Sequence, residues 1–443
     1  MAVDLTGKRV TVVGMEKSGH AAVELLLDHN AVVRAVDEKP HPPVHDISVE
    51  PQTGAAFDAA ELIVISPGVP ADLDLLNDAR ARGIQVIGEL ELASWFLKGD
   101  TIGITGANGK TTTTALTGHI LKESGILCQV GGNIGTPPAS MVATSRVEQW
   151  NVLELSSFQL ETIQDFRAHI GVVLNVTPDH LDRHHTFENY AAAKGRLLET
   201  QQPGDFAVLN ADDPVCVAYA SRTKATPVWF SLENPVNSGA WFENGEVRYD
   251  DRFVLSASDI ALRGRHNVQN VMAATIATRL AGATLEQIVA AVRSFPGVEH
   301  RLEFVRELNG VAYYNYSKAT NVDATLKAID AFPGGIWIIL GGKDKHSDYT
   351  VLQQPLREKA KAALLIGAAA PIIEAHLANA VRIEHSGTLE NAIDTASSEA
   401  QPGDVVVLAP ACASFDQFDN YEHRWRVFKK LVNALGGGHG AIH

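Results

Sequence analysis

Residues 103–112 read Gly103-Ile104-Thr105-Gly106-Ala107-Asn108-Gly109-Lys110-Thr111-Thr112, after a short apolar run. This stretch predicts a phosphate-binding loop at the junction of a strand and a helix. Gly106 and Gly109 let the backbone curl so that consecutive N–H groups face an anion. Lys110 would place a point charge on the outer phosphates. Thr111 or Thr112 would offer a hydroxyl to Mg²⁺, and the helix from about Lys110 would present its positive end. The spacing departs from the strict pattern, because Ile104 sits where its first glycine belongs. The competing reading is a glycine-rich turn that binds nothing. The strand before the loop and its Lys-Thr-Thr ending weigh against that, so the chain is expected to handle the triphosphate end of a nucleotide.

Working outward, 443 residues leave room for several domains, and 45% hydrophobic with 20% charged content is that of a globular protein. The net charge of −15 disfavours nonspecific binding to nucleic acid or anionic lipid. Cys128, Cys216 and Cys412 are far apart and form no metal or disulfide pattern, which fits a reducing, cytoplasmic setting. No apolar stretch is long enough to span a bilayer, and the first residues run into a strand without a signal-peptide pattern. The last residues, 436–443, read as a loose tail.

Strand and helix patterns alternate throughout, which predicts parallel sheets covered by helices. Three α/β domains are expected: a Rossmann-like N-terminal domain (1–97), a central P-loop ATPase-type domain (98–296) and a C-terminal Rossmann-like domain (297–443). In the first, a strand at 9–13, a turn at 14–19, a helix at 20–29 and a strand at 31–36 ending at Asp37 resemble a dinucleotide-type unit. Glu16 replaces the middle glycine of that fingerprint, and its carboxylate would repel a pyrophosphate, so a doubly wound domain without a dinucleotide is the better reading. Ser66-Pro67-Gly68-Val69-Pro70 follows a strand at 62–65 as a rigid loop where a ligand could rest.

In the second segment, Glu154 ends an apolar strand. An acid there could hold Mg²⁺, which prefers one or two carboxylates plus phosphate oxygens, or it could be a solvated strand end. His180 sits in a loop after a strand at 170–175, with Asp179, Asp182, His184 and His185 nearby. A metal or phosphate role is favoured over simple packing, although no known zinc spacing is present. Lys194, by pattern alone, is a surface helix lysine. Asn267 and Asn270 share a helix face and could read a base edge or cap the helix. Arg301 could clamp a phosphate. In the third segment the stretches 314–321, 340–345 and 409–418 each sit at a strand end. Lysines and hydroxyls in such loops suit an anionic substrate with a carboxylate.

Together these motifs resemble the Mur ligase family, the ATP-dependent ligases that extend the peptidoglycan stem peptide. The likeness covers essentially the whole chain. It rests on the phosphate loop, Gly131-Gly132-Asn133-Ile134-Gly135, the run Leu153-Glu154-Leu155-Ser156-Ser157-Phe158-Gln159-Leu160, and residues 175–180 and 266–270. Ser317-Lys318-Ala319-Thr320-Asn321, 410–414 and Asp416-Gln417-Phe418 are similar to the D-glutamate-adding branch. The resemblance implies a monomer that uses ATP, UDP-N-acetylmuramoyl-L-alanine and D-glutamate and proceeds through an acyl phosphate. It implies that Gly106, Asn108, Gly109, Lys110, Thr111, Thr112, Asn267, Asn270 and Arg301 contact ATP. It further implies two Mg²⁺ sites involving Thr111, Glu154, His180 and Lys194, with Lys194 carbamylated. Lys17, Ser18, Asp37 and Gly68 would hold the UDP end, and Asn133 would lie nearer the sugar and alanyl part. Lys318, Thr320, Lys345, Ser414 and Tyr421 would surround D-glutamate. Glu16, Tyr316 and Trp425 depart from the family pattern. Two rivals stay open: another amide ligase of the superfamily, such as a folylpolyglutamate-type enzyme or a sister Mur ligase, and a nucleotide-driven switch with no covalent product.

Overall fold

The computed structural model describes residues 3–250, 252–260, 264–297 and 302–436. The short apolar runs are strands covered on both faces. Leu62–Ile65, Ile170–Val173 and Ile336–Gly341 are buried at every position, the pattern that helices on both sides of a parallel sheet impose.

The first sheet holds β1 (Arg9–Val13), β2 (Val32–Asp37), β3 (Val49–Pro51), β4 (Leu62–Ile65) and β5 (Gln85–Gly88), all parallel, in the order β3-β2-β1-β4-β5. The order reverses between β1 and β4, so the loops after them meet at the carboxyl edge, where such folds take ligands. The helix after β1 is Lys17–Asp28, so it starts three residues before the expected position. Gly19 permits this, since a Cβ there would lie 1.9 Å from the Gly14 carbonyl oxygen.

The second sheet holds β6 (Asp100–Thr105), β7 (Cys128–Gly132), β8 (Trp150–Glu154), β9 (Ile170–Val173), β10 (Phe206–Asn210), β11 (Thr226–Ser231), β12 (Gly239–Glu243), β13 (Glu246–Tyr249) and β14 (Arg252–Ser256). Their order is β14-β13-β12-β11-β10-β9-β6-β8-β7. The third holds β15 (Glu303–Leu308), β16 (Val311–Asn315), β17 (Ile336–Gly341), β18 (Ala360–Ile366), β19 (Arg382–Gly387) and β20 (Val405–Leu408), in the order β15-β16-β20-β17-β18-β19.

The expected parallel sheets are present, with antiparallel strands added at two edges. β13 and β14 extend the second sheet antiparallel, and β15 pairs antiparallel with β16. Both additions begin at an Asn-Gly turn. Asn244-Gly245 joins β12 to β13 and Asn309-Gly310 joins β15 to β16, and all four residues have positive φ, the geometry of a tight two-residue hairpin.

The described chain forms two compact units. One contains the first two sheets. The other contains the third sheet together with residues 177–184 and 264–266. Within the first unit, the helix Pro138–Met141 serves two cores. Ala139 joins the core of the first sheet, while Met141 packs with Leu90 and Leu153 in that of the second. No helix among the described residues is long and apolar enough to cross a membrane.

Candidate active site

The phosphate loop leaves β6, whose neighbours are β8 and β9. The chain moves to one side of β6 through β7 and β8 and to the other through β9 to β11, so the loop sits at the switch point of the second sheet. Its shape is held from β9. The N–H of Asn108 donates to the Asn175 side chain at 2.8 Å, and the Asn175 amide donates back to the Asn108 carbonyl at 3.0 Å. Gly109 has φ +88°, and a Cβ on it would stand 2.3 Å from Asn270 Oδ1, so both backbone and space demand glycine. It is the N-cap of the helix Lys110–Glu123, with no side chain capping the first turn, which leaves that turn suited to an anion. Thr111 and Thr112 are buried on this helix.

Two lysines converge here. Lys110 Nζ donates to the carbonyls of Gly106 and Ala107, each at 2.9 Å. Lys194 Nζ donates to the same Gly106 oxygen at 2.8 Å and lies 4.6 Å from the centre of the Tyr190 ring. The reading of Lys194 as a surface lysine is therefore wrong. It is 1% exposed, because Phe187–Glu199 turns that face onto the phosphate loop. Glu154 ends β8 opposite Ile104 and is buried, and one carboxylate oxygen accepts the Asn133 amide at 2.9 Å. Asn270 accepts from the Thr113 hydroxyl at 3.3 Å and donates to Asn267 at 3.0 Å. The structure thus brings Gly106, Asn108, Gly109, Lys110, Thr111, Thr112, Asn133, Glu154, Lys194, Asn267 and Asn270 into one region. Asn175 belongs with them, and its place right after a strand was the signal for it.

At the switch point of the first sheet, the Ser66 hydroxyl donates to the Gly14 carbonyl at 2.7 Å, joining the loops after β4 and β1. Asp37 accepts the N–H of Met15 at 2.6 Å and that of Lys39 at 2.9 Å, so its carboxylate shapes the loop. Lys17 and Ser18 open the neighbouring helix, and Gly68 faces open space in the direction of a side chain. The Glu16 carboxylate is exposed at the N-cap of that helix.

In the second unit, the loops after β16, β17 and β20 emerge from three adjacent strands. Lys343 and Ala413 exchange backbone hydrogen bonds at 2.8 and 3.1 Å, which knits the second loop to the third. Lys318 Nζ lies 5.5 Å from the centre of the Tyr421 ring, and Ser414 is buried. Lys345 pairs with Asp179 at 3.4 Å, and Asp179 also accepts from Asn321 at 3.0 Å and from the His180 N–H at 2.9 Å. His180 therefore sits on a loop anchored to the third sheet's residues. Asp344 accepts the Tyr349 hydroxyl at 2.6 Å and the N–H groups of His346 and Ser347; despite burial, these bonds hold its carboxyl below the usual range. Arg424, absent from the expected set, is fully buried beneath these loops, and burial pushes its guanidinium down to about 10.

Tyr316 is buried in the core of the third sheet, and the Trp425 indole donates to Glu303 at 2.6 Å. Arg301 and residues 437–443 lie outside the described residues. Among the described residues, no group of three or more His, Cys, Asp or Glu side chains is placed to hold an ion alone.

Fold and site define a phosphate-loop nucleotide-binding protein with two further α/β sheets. Residues 8–88 match the family model described as Mur ligase MurD-like, N-terminal domain. Residues 104–278 match the Mur ligase middle domain, and 300–412 the Mur ligase, glutamate ligase domain. The chain belongs to the Mur ligase family. A protein of Solibacter usitatus named UDP-N-acetylmuramoylalanine--D-glutamate ligase is 61% identical, over 97% of this chain and 99% of its own. A protein of the same name from Koribacter versatilis is 50% identical, over 98% of this chain and 99% of its own. Solved structures with the same fold include a pseudomurein peptide ligase type C from Methanothermus fervidus (TM-score 0.64, 17% identity, 97% of this chain and 100% of that one). MurF ligase from Thermotoga maritima in complex with ADP is another (TM-score 0.63, 19% identity, 97% and 96%).

Proposed function

We infer that the protein is an ATP-dependent ligase that joins D-glutamate to UDP-N-acetylmuramoyl-L-alanine, with ADP and phosphate as the other products, in peptidoglycan precursor synthesis. Relatives at 61% and 50% identity bear that activity in their names. The observation that carries the chemistry is the meeting of Lys110 and Lys194 on one carbonyl of the phosphate loop.

A carboxylate is a poor acyl donor until one of its oxygens becomes part of a phosphate leaving group. The alanyl carboxylate oxygen attacks the γ-phosphorus of ATP, and ADP departs. The D-glutamate amine then attacks the acyl carbon, the C–O bond to phosphate breaks, and the amine proton is released. Crowded phosphate oxygens need cations in place before the reaction begins. Lys110 supplies one, and Gly106, Asn108, Gly109, Thr112, Asn267, Asn270 and Arg301 hold the rest of ATP.

The donor set suits Mg²⁺, since a buried carboxylate and a buried hydroxyl, Glu154 and Thr111, flank the phosphate loop. Bound there, the ion would neutralise phosphate oxygens. We assign His180 and a carbamylated Lys194 to a second ion, a role the family resemblance implies. Carbamylation would remove the positive charge of Lys194 and add a carboxylate whose oxygens accept, while its N–H remains a donor. Lys17, Ser18, Asp37 and Gly68 hold the UDP end, with Asn133 nearer the alanyl part, while Lys318, Thr320, Lys345, Ser414 and Tyr421 receive D-glutamate. Segments 1–97, 98–296 and 297–443 accordingly divide acceptor, ATP and amino acid among them, and the protein works as a cytoplasmic monomer.

A panel of amino acids with ATP and the UDP-linked alanyl acceptor tests this reading. Phosphate release and an amide product are expected with D-glutamate. Turnover with a different amino acid alone would assign the protein to another branch. ATP hydrolysis without any amide product would favour a nucleotide switch.

A further inference from the structure

Arg424 lies near the start of the helix Tyr421–Ala434 and has no exposed surface. Its Nε donates to the Ser317 hydroxyl at 3.0 Å. Nη2 donates to the Ser317 carbonyl at 2.9 Å and to the Cys412 carbonyl at 3.2 Å. The Ser317 hydroxyl passes the link on, donating to the Tyr421 carbonyl at 2.8 Å. Nη1 is buried with no hydrogen-bond partner among the described residues, and it lies where a Cβ on Gly342 would be 3.2 Å away. One guanidinium thus meets the loops after β16, β17 and β20, and through Ser317 it is tied back to Tyr421 on its own helix.

Burying a charge against mainly neutral partners is costly, and an apolar residue of similar size would often stabilise a core better. What the guanidinium adds is direction. Its planar fork fixes several acceptors at once, which a lysine ammonium cannot do. The acceptors it fixes adjoin Lys318, Ser414 and Tyr421. We propose that Arg424 is a positioning residue for the amino-acid site, setting the three loops in one register so that their side chains present a single geometry to the D-glutamate carboxylates. The proposal rests on the D-glutamate reading above. Arg424 itself is buried beneath the loops and does not touch the substrate.

Steady-state kinetics on the full chain test it, with Arg424→Lys, Arg424→Ala and, keeping the arginine, Ser317→Ala. Melting curves identify the folded variants. In Arg424→Lys and Arg424→Ala the KM for D-glutamate rises about tenfold or more, while those for ATP and the UDP-linked acceptor stay within about twofold. Ser317→Ala shows a smaller rise of the same selectivity. Methylguanidinium lowers the raised KM of Arg424→Ala and leaves the wild type unchanged. If Arg424→Ala does not fold, the other two variants decide. An unchanged KM for D-glutamate in the folded variants, an equal rise for all three substrates, or failure of every variant to fold would overturn the proposal. A wild-type protein that makes no product from D-glutamate would instead refute the reaction on which it rests.

Discussion

At the scale of single residues, the phosphate loop and Lys194 carry opposite lessons. Gly109 was legible, because its role follows from four neighbouring residues and the geometry of an anion-binding turn. Replacing it with alanine imposes φ +88° on a residue with a side chain and drives a Cβ to 2.3 Å from Asn270. Gly109→Ala is expected to lose about 1–3 kcal/mol of stability and to raise the KM for ATP, measured by melting and initial rates. Wild-type values for both would contradict this account of the loop. Lys194 was not legible from its helix, because the carbonyl it meets is 88 residues away in sequence. Only the family resemblance gave it a role. Lys194→Ala should lower kcat on the order of a hundredfold or more, with partial recovery in added short-chain carboxylates. Full activity in the unsupplemented variant would exclude the carbamate. Arg424 was missed for a similar reason. In Tyr421-Glu422-His423-Arg424-Trp425-Arg426 nothing distinguishes the buried Arg424 from the exposed Arg426.

At the scale of elements, the helix Glu89–Ser94 shows how two acids in one turn diverge. Glu91 is fully buried and accepts the N–H groups of Gln164, Asp165 and Phe166 and the Trp95 indole, at 2.7 to 3.1 Å. Glu89 is equally buried, but one oxygen accepts only the Ala139 N–H at 2.6 Å and the other has no partner among the described residues. Burial pushes its carboxyl up to about 8, against a lowering by the Ala139 bond. A carboxyl raised on folding binds its proton more tightly in the folded state. Its stabilising contribution is complete below the unfolded value of 4.5 and is lost as pH rises towards about 8. The loss amounts to on the order of 5 kcal/mol. Glu89→Gln keeps an acceptor for Ala139 and removes the proton. Denaturant melts at pH 5.5 and 8 should then show a flatter pH dependence than in the wild type, and equal slopes would contradict the assignment. Neither acid's burial was legible in sequence, since all the donors but the Trp95 indole come from residues 139 and 164–166. The Asn-Gly hairpins at 244–245 and 309–310 are different. Their signal is local, an Asn-Gly pair at each two-residue turn.

At the scale of the whole molecule, the three-sheet plan was legible because each sheet repeats strand, turn and helix with a polar loop at a carboxyl edge. Many of the candidate site residues lie in such loops or in the helix turns that follow them, as doubly wound sheets favour, whereas Glu154 ends a strand and Lys194 and Asn270 sit within helices. The grouping of residues 177–184 with the third sheet was not legible. It depends on Asp179 meeting Asn321 and Lys345, 142 and 166 residues further on. On the proposed reading, the choice of amino acid belongs to the third sheet's loops and not to the phosphate loop that announces ATP. The central claim is that ATP is spent on activating the acceptor's carboxylate for attack by D-glutamate. It is tested most directly by supplying acceptor labelled with ¹⁸O in that carboxylate and analysing the products by mass spectrometry. The account predicts one labelled oxygen transferred to inorganic phosphate and the other retained in the new amide. Phosphate free of label, or released without amide formation, would contradict it.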